Sequence, residues 1–199
     1  MKNSLTSLYK SLFIGLTVST MTLALQSCKN ENKEEDTKEV AEEKNEAKFQ
    51  NSNKEDAEFL VDAAEFNLQQ AELGKLTAVK SNSDDVKTFG KMMQEMYTAK
   101  MSDVNMVAVV KQISIPTSLT EDNKEDYNTL NKQDIQDFDK KYLESVVDDH
   151  KEAIDEYSSR MNKTNDADIK KWLTLELASL REHLDVAMTL QSKLNKLNK

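Results

Sequence analysis

The sequence predicts an all-α protein built as one four-helix bundle, with a short extra helix in the connection between the second and third long helices. Three observations carry this expectation. Only three Gly and one Pro occur in 199 residues, too few for the many tight turns of a β-sandwich or barrel. Apolar residues recur at steps of three and four through four separate stretches, the spacing of one buried helix face. The stretches are parted by Ser, Asn and Thr, whose side-chain oxygens cap helix ends.

The first long helix is expected to open at Ser52-Asn53-Lys54-Glu55, which has the spacing of a capping box. Phe59, Ala63, Phe66, Gln70, Leu73 and Thr77 then form its core stripe, ending near Lys80. Ser83 before Asp84-Asp85 predicts the start of the second, with acids at the positive end of the helix dipole. Its stripe runs through Val86, Phe89, Met93, Met96, Tyr97, Met101, Val104 and Val107, and Ile115-Pro116 is its expected end. Thr120 caps the short helix, which ends near Leu130. The third long helix starts at Ile135 and presents Phe138, Tyr142, Val146, His150, Ala153, Ile154, Tyr157 and Met161. Asn165 before Asp166 starts the fourth, with Ile169, Trp172, Leu173, Leu177, Leu180, His183, Leu184, Ala187, Leu190 and Leu194. Faces of this length are buried only against one another. The link of about 20 residues between helices two and three is long enough to cross such a bundle, which points to a ferritin-like topology.

The first 27 residues read as an address rather than as structure. Lys2 and Lys10 precede an uncharged stretch from Ser11 to Ser27, the layout of a secretory signal, and the stretch is short of the roughly 20 apolar residues of a spanning helix. It ends Leu25-Gln26-Ser27-Cys28, which resembles a bacterial lipobox, with Cys28 as the residue that is lipidated. Acyl chains, at about 0.8 kcal/mol per buried methylene, would tether the protein to a membrane. Residues 28–53 hold 13 charged residues in 26 and are expected to be a disordered acidic stalk, leaving 54–199 as the helical domain. Lys29 directly after the Cys resembles lipoproteins sorted to the outer membrane, on its periplasmic or surface face.

Charge and cysteine content exclude several functions. The net charge is −9, and loss of residues 1–27 removes two positive charges and no acid, making it −11. Such a chain is unsuited to nucleic acid. A single Cys excludes disulfide frameworks and cysteine-ligated clusters, and no nucleophile-elbow, phosphate-loop or dinucleotide fingerprint occurs.

Four runs carry a family resemblance: Ala71 to Leu76, Phe89 to Met93, Phe138-Asp139-Lys140-Lys141-Tyr142-Leu143 through Asp149-His150, and Leu180-Arg181-Glu182-His183-Leu184. From Phe59 onward the chain resembles domain-of-unknown-function family 4142, whose members are ferritin-like proteins of the bacterial envelope. The resemblance implies a fold and a location but no activity. Family members commonly carry an Asp-His pair in the second helix, where this chain has Met96 and Tyr97.

One set of residues has the makings of a site. His150 and His183 lie on or beside core stripes near mid-helix, and Tyr97 and Glu72 fall near mid-helix in the other two long helices. Antiparallel packing would gather the four in one layer, with Glu176 leaning in from the next. Imidazole and carboxylate suit a single transition-metal ion, although the Glu-x-x-His pattern of di-iron bundles is missing, since Val147 and Leu180 stand three residues before the histidines. The same groups would equally make a buried hydrogen-bonded network with no cofactor. The expectation is therefore a lipid-anchored cell-envelope protein, non-enzymatic, serving binding, envelope maintenance or stress tolerance; a metal-binding or redox protein using Glu72, Tyr97, His150 and His183 is the alternative.

Overall fold

Six helices make up the described part of the chain: α1 Thr37–Glu46, α2 Ser52–Lys80, α3 Asp84–Lys111, α4 Glu121–Asn131, α5 Ile135–Lys163 and α6 Ala167–Leu197. The structure, a computed structural model, describes residues 36–197. No strand occurs among them, and no helix among them is long and apolar enough to cross a membrane. The expected signal segment and Cys28 lie outside the described residues.

The elements follow the apolar periodicity closely, and the differences lie at their ends. Ser83 Oγ accepts from the Val86 amide at 3.5 Å, and Thr120 Oγ1 accepts from Asn123 at 3.2 Å, so both of those caps are used as expected. The capping box at Ser52 is not. The residue before α2 is Asn51, with φ 54 and no side-chain cap bond, and Glu55 instead accepts from Arg160 Nη1 at 2.9 Å. A long-range cation competes for that carboxylate more effectively than a local amide. Helix α3 ends at Lys111, four residues before the expected stop. Gln112 adopts the left-handed conformation (φ 58) and Ile113 N donates back to Ala108 O at 2.8 Å, closing the helix before the proline is reached. Asp166, rather than Asn165, caps α6, its Oδ1 accepting from the amides of Asp168 and Ile169 at 3.0 and 3.1 Å.

Part of the expected disordered stalk is ordered. Residues 37–46 form α1, which packs on α2. The charge-rich composition offers little surface to bury, so the attachment is polar. Asn45 is buried, donating from Nδ2 to Ser114 O and accepting at Oδ1 from Ser114 N, both at 2.8 Å. Lys38 Nζ sits between Asp62 and Glu65 at 2.9 and 2.5 Å. Asp36 accepts from the amides of Lys38 and Glu121. Composition reports a segment's own capacity to form a core; here the partners for its polar groups come from the 112–120 link, the start of α4 and α2.

The strongest pairing is α2 with α3, followed by α5 with α6; α2 also meets α5 and α3 meets α6, while α4 lies against α2 and α5. Two glycines explain the closeness of the first pair. A Cβ on Gly74 would stand 2.6 Å from Gly90 O and 2.7 Å from Gln94 N, both backbone atoms of α3. Helix propensity alone favours Ala over Gly by about 1 kcal/mol, yet overpacking here should cost about 1–3 kcal/mol. The net cost is up to about 2 kcal/mol, so Gly74→Ala is expected to lower the melting temperature by up to roughly 8 °C for a domain of this size. A variant that melts above the parent temperature would contradict the close approach.

The core has two apolar halves. One gathers Phe59, Leu60, Val104, Tyr157, Trp172 and Leu173, and the other Phe89, Met93, Phe138, Tyr142, Leu143 and Val146. Phe66 packs against both. The polar groups described next lie at that junction.

Candidate functional site

Helices α3, α5 and α6 each direct one side chain to the centre. Tyr97 and His150 are fully buried, and His183 is 2% exposed. The Tyr97 hydroxyl stands 2.7 Å from His150 Nε2 and 3.1 Å from His183 Nδ1. Phe66, from α2, sets its ring edge-on to both Tyr97 and His150 at 5.5 Å between centroids. Tyr97, His150 and His183 thus meet in one layer, to which α2 contributes Phe66.

Glu72 is not part of it. Its carboxylate meets Lys75 at 3.4 Å on the helix surface, with 41% of the side chain exposed. One helical position decides this: Leu73 and Gly74 face α3 and the core, which turns Glu72 toward solvent. The α2 contribution to the layer is apolar Phe66, so the carboxylate expected for a metal is absent from the triad. No group of three or more His, Cys, Asp or Glu placed to hold a metal occurs among the described residues.

Glu176 does lean in one layer away, but toward a cation. Lys100 Nζ bonds Glu176 Oε2 at 2.7 Å, with the two side chains 8% and 5% exposed. On another side of the triad, Gln70 Nε2 and Ser145 Oγ donate to Asp149 Oδ2 at 3.0 and 3.1 Å. Farther along, Arg160 Nε donates to Asp56 Oδ1 at 2.8 Å, and Thr164 Oγ1 to Asp56 Oδ2 at 3.0 Å, joining α2 to α5. Lys100, Asp56 and Arg160 were not singled out by sequence reasoning. Their signal was positional: Lys100 falls between Tyr97 and Val104 at core spacing, Asp56 four before Leu60, and Arg160 three after Tyr157. A charged residue on a core stripe implies a buried partner.

Burial governs the electrostatics. It pushes the His150 imidazole down to about 3, helped by His183 and Lys100 and opposed by the hydrogen bond to Val146. It pushes His183 down to about 4, again with Lys100 acting in the same direction. Burial likewise raises the Tyr97 phenol well above its usual value, with Tyr157 and Glu176 adding to the effect. The Glu176 carboxyl is raised by burial in spite of Lys100, and that of Asp149 in spite of Gln70 and Ser145. The triad is neutral at pH 7.

An open groove of about 530 Å³ lies between α1 and α2, lined by Glu39, Glu42, Glu43, Glu46, Glu58 and Asp62 among others. Burial and the surrounding carboxylates raise Glu42, against the pull of Lys38. None of the triad residues lines this groove.

Residues 38–190 match the family described as Domain of unknown function (DUF4142). The chain belongs to that family. The DUF4142 match begins within α1, one residue after Thr37 opens the helix, and so takes in part of the segment expected to be a stalk. No curated protein matches the chain, and no solved structure does.

Proposed function

We propose that this chain is a lipid-anchored protein of the bacterial cell envelope whose body is a ferritin-like four-helix bundle, acting as a non-enzymatic module for binding or envelope maintenance. The ring of contacts α2 with α3, α3 with α6, α6 with α5 and α5 with α2 supports the bundle, with α4 as the extra helix in the long link. The junction Leu25-Gln26-Ser27-Cys28 supports a lipid on Cys28 and an outer-membrane address, the membrane being the first partner. The observation that carries the non-enzymatic reading is the closure of the centre: Tyr97, His150 and His183 are sealed from solvent and bonded to one another. Catalytic groups need access to substrate.

A metal-binding role is the second reading, favoured by the convergence of one phenol and two imidazoles on a single point. Metal analysis of protein purified without chelators separates the two. Less than a tenth of an equivalent of iron, zinc, manganese or copper is the expected result. Stoichiometric metal that vanishes in His150→Ala/His183→Ala would establish the second reading in place of the first. The anchor has its own test: Cys28→Ser should move the protein to the soluble periplasmic fraction and abolish palmitate labelling, and a variant that stays in the membrane removes the lipid from the proposal.

A further inference from the structure

The hydrogen bonds of the triad determine where each proton lies. The Val146 carbonyl only accepts, so His150 Nδ1, 2.8 Å from it, carries a hydrogen. A neutral imidazole has one N–H, which leaves His150 Nε2 as a bare acceptor, and the Tyr97 O–H donates to it across 2.7 Å. The phenolic hydrogen being spent, the Tyr97 oxygen accepts from His183 Nδ1–H at 3.1 Å. His183 Nε2 is then the acceptor that faces Ser179 Oγ at 3.5 Å. Protons run one way, from α6 through the phenol to α5.

This is the arrangement required of a tyrosine that gives up an electron reversibly. Removing an electron from a phenol makes its O–H strongly acidic, so a nearby base must take the proton in the same event. We propose that Tyr97 is a redox-active tyrosine, oxidised by a one-electron oxidant of the radical class at the protein surface while its proton passes to His150 Nε2. The oxidant gains one electron; the Tyr97 O–H bond breaks; a His150 Nε2–H bond forms; the products are a neutral phenoxyl and an imidazolium that still donates to Val146. A thiolate donor reverses the step, giving up one electron to become a thiyl radical as the proton returns from His150 Nε2 to the phenoxyl oxygen. His183 Nδ1–H keeps its hydrogen bond to the phenoxyl oxygen throughout.

The surroundings suit a radical that persists. Tyr97 is fully buried among Phe66, Met93 and Val146, which keeps its ring from coupling with another phenol. Its chain neighbour Met96 is 39% exposed, so the surface where an oxidant collides is one residue away. Among the described residues no other tyrosine hydroxyl is hydrogen-bonded to an imidazole. The buried charges nearest in the network, Lys100 and Glu176, are paired with each other. The proposal stands apart from the lipid anchor and requires no metal.

The test uses the full-length chain in detergent, oxidised by a flash-generated tris(bipyridine)ruthenium(III) ion and followed by electron paramagnetic resonance. A neutral tyrosyl signal is expected that survives Tyr127→Phe and is lost in Tyr97→Phe. Its formation should slow at least twofold in deuterated water. His150→Gln, which still accepts a hydrogen bond but cannot take a proton, should slow it at least tenfold. An undiminished signal in Tyr97→Phe, or an unchanged rate in His150→Gln, overturns the proposal. A measurement on the unaltered protein guards against variants that fail to fold: electron–nuclear double resonance after exchange should find two deuterons hydrogen-bonded to the phenoxyl oxygen, the transferred one on His150 Nε2 and the one on His183 Nδ1. A phenoxyl lacking either deuteron also overturns it.

Discussion

Unfolding free energy should fall steeply between pH 6.5 and pH 4.5, and the slope should largely disappear in His150→Gln/His183→Gln. In the unfolded chain both imidazoles bind protons near pH 6.5. In the folded chain burial delays protonation to about 4 for His183 and about 3 for His150. Each group therefore contributes stability that is fully present above the unfolded value, is lost as pH falls through the window between the two values, and has nothing further to lose below the folded one. One unit is about 1.4 kcal/mol, so two histidines held neutral over two units amount to a loss on the order of 5 kcal/mol by pH 4.5. The raised carboxyls of Asp149 and Glu176 act with the opposite sign and offset part of it. Urea denaturation of parent and double variant at half-unit intervals measures the slope. Equal slopes in the two proteins would show that the histidines are not the acid-sensitive groups.

Glu176→Leu should destabilise by about 3–5 kcal/mol, because it leaves the Lys100 ammonium buried without its counter-charge. The attraction inside such a pair is opposed by the cost of dehydrating both ions, so the pair as a whole contributes far less than its rupture costs. Lys100→Met/Glu176→Leu is thus expected to fall within about 1 kcal/mol of the parent or above it. The full double-mutant cycle by chemical denaturation separates the two effects. Two single losses that simply add in the double variant would mean that Lys100 and Glu176 do not meet across α3 and α6.

How far the site could be read beforehand is clearest from its four expected members. His150 has valines one turn before it and Ala153 and Ile154 after it, so its burial followed from the helical period alone. Tyr97 and His183 were legible in the same way. Glu72 was not, because it sits at the edge of its stripe, where a turn of a few tens of degrees separates core from solvent. The approach of Gly74 to Gly90 sets that turn, and it is a property of two helices rather than of one. The order of α1 was hidden for a related reason. Nothing in its sequence shows that Asn45 would find both backbone groups of Ser114, 69 residues away.

The sequence by itself determined the helical class, the approximate extent of the four long elements, the caps at Ser83 and Thr120, the burial of both histidines and the family, all of which rest on local spacing or on short runs of residues. Only the tertiary structure decided which carboxylate stays outside, which lysine is buried, and where the protons of Tyr97, His150 and His183 lie. Apolar periodicity is blind to these, since a stripe specifies a face while leaving its partner free. A hydrogen bond of 2.7 Å, by contrast, exists only when two particular helices meet at one register and one rotation.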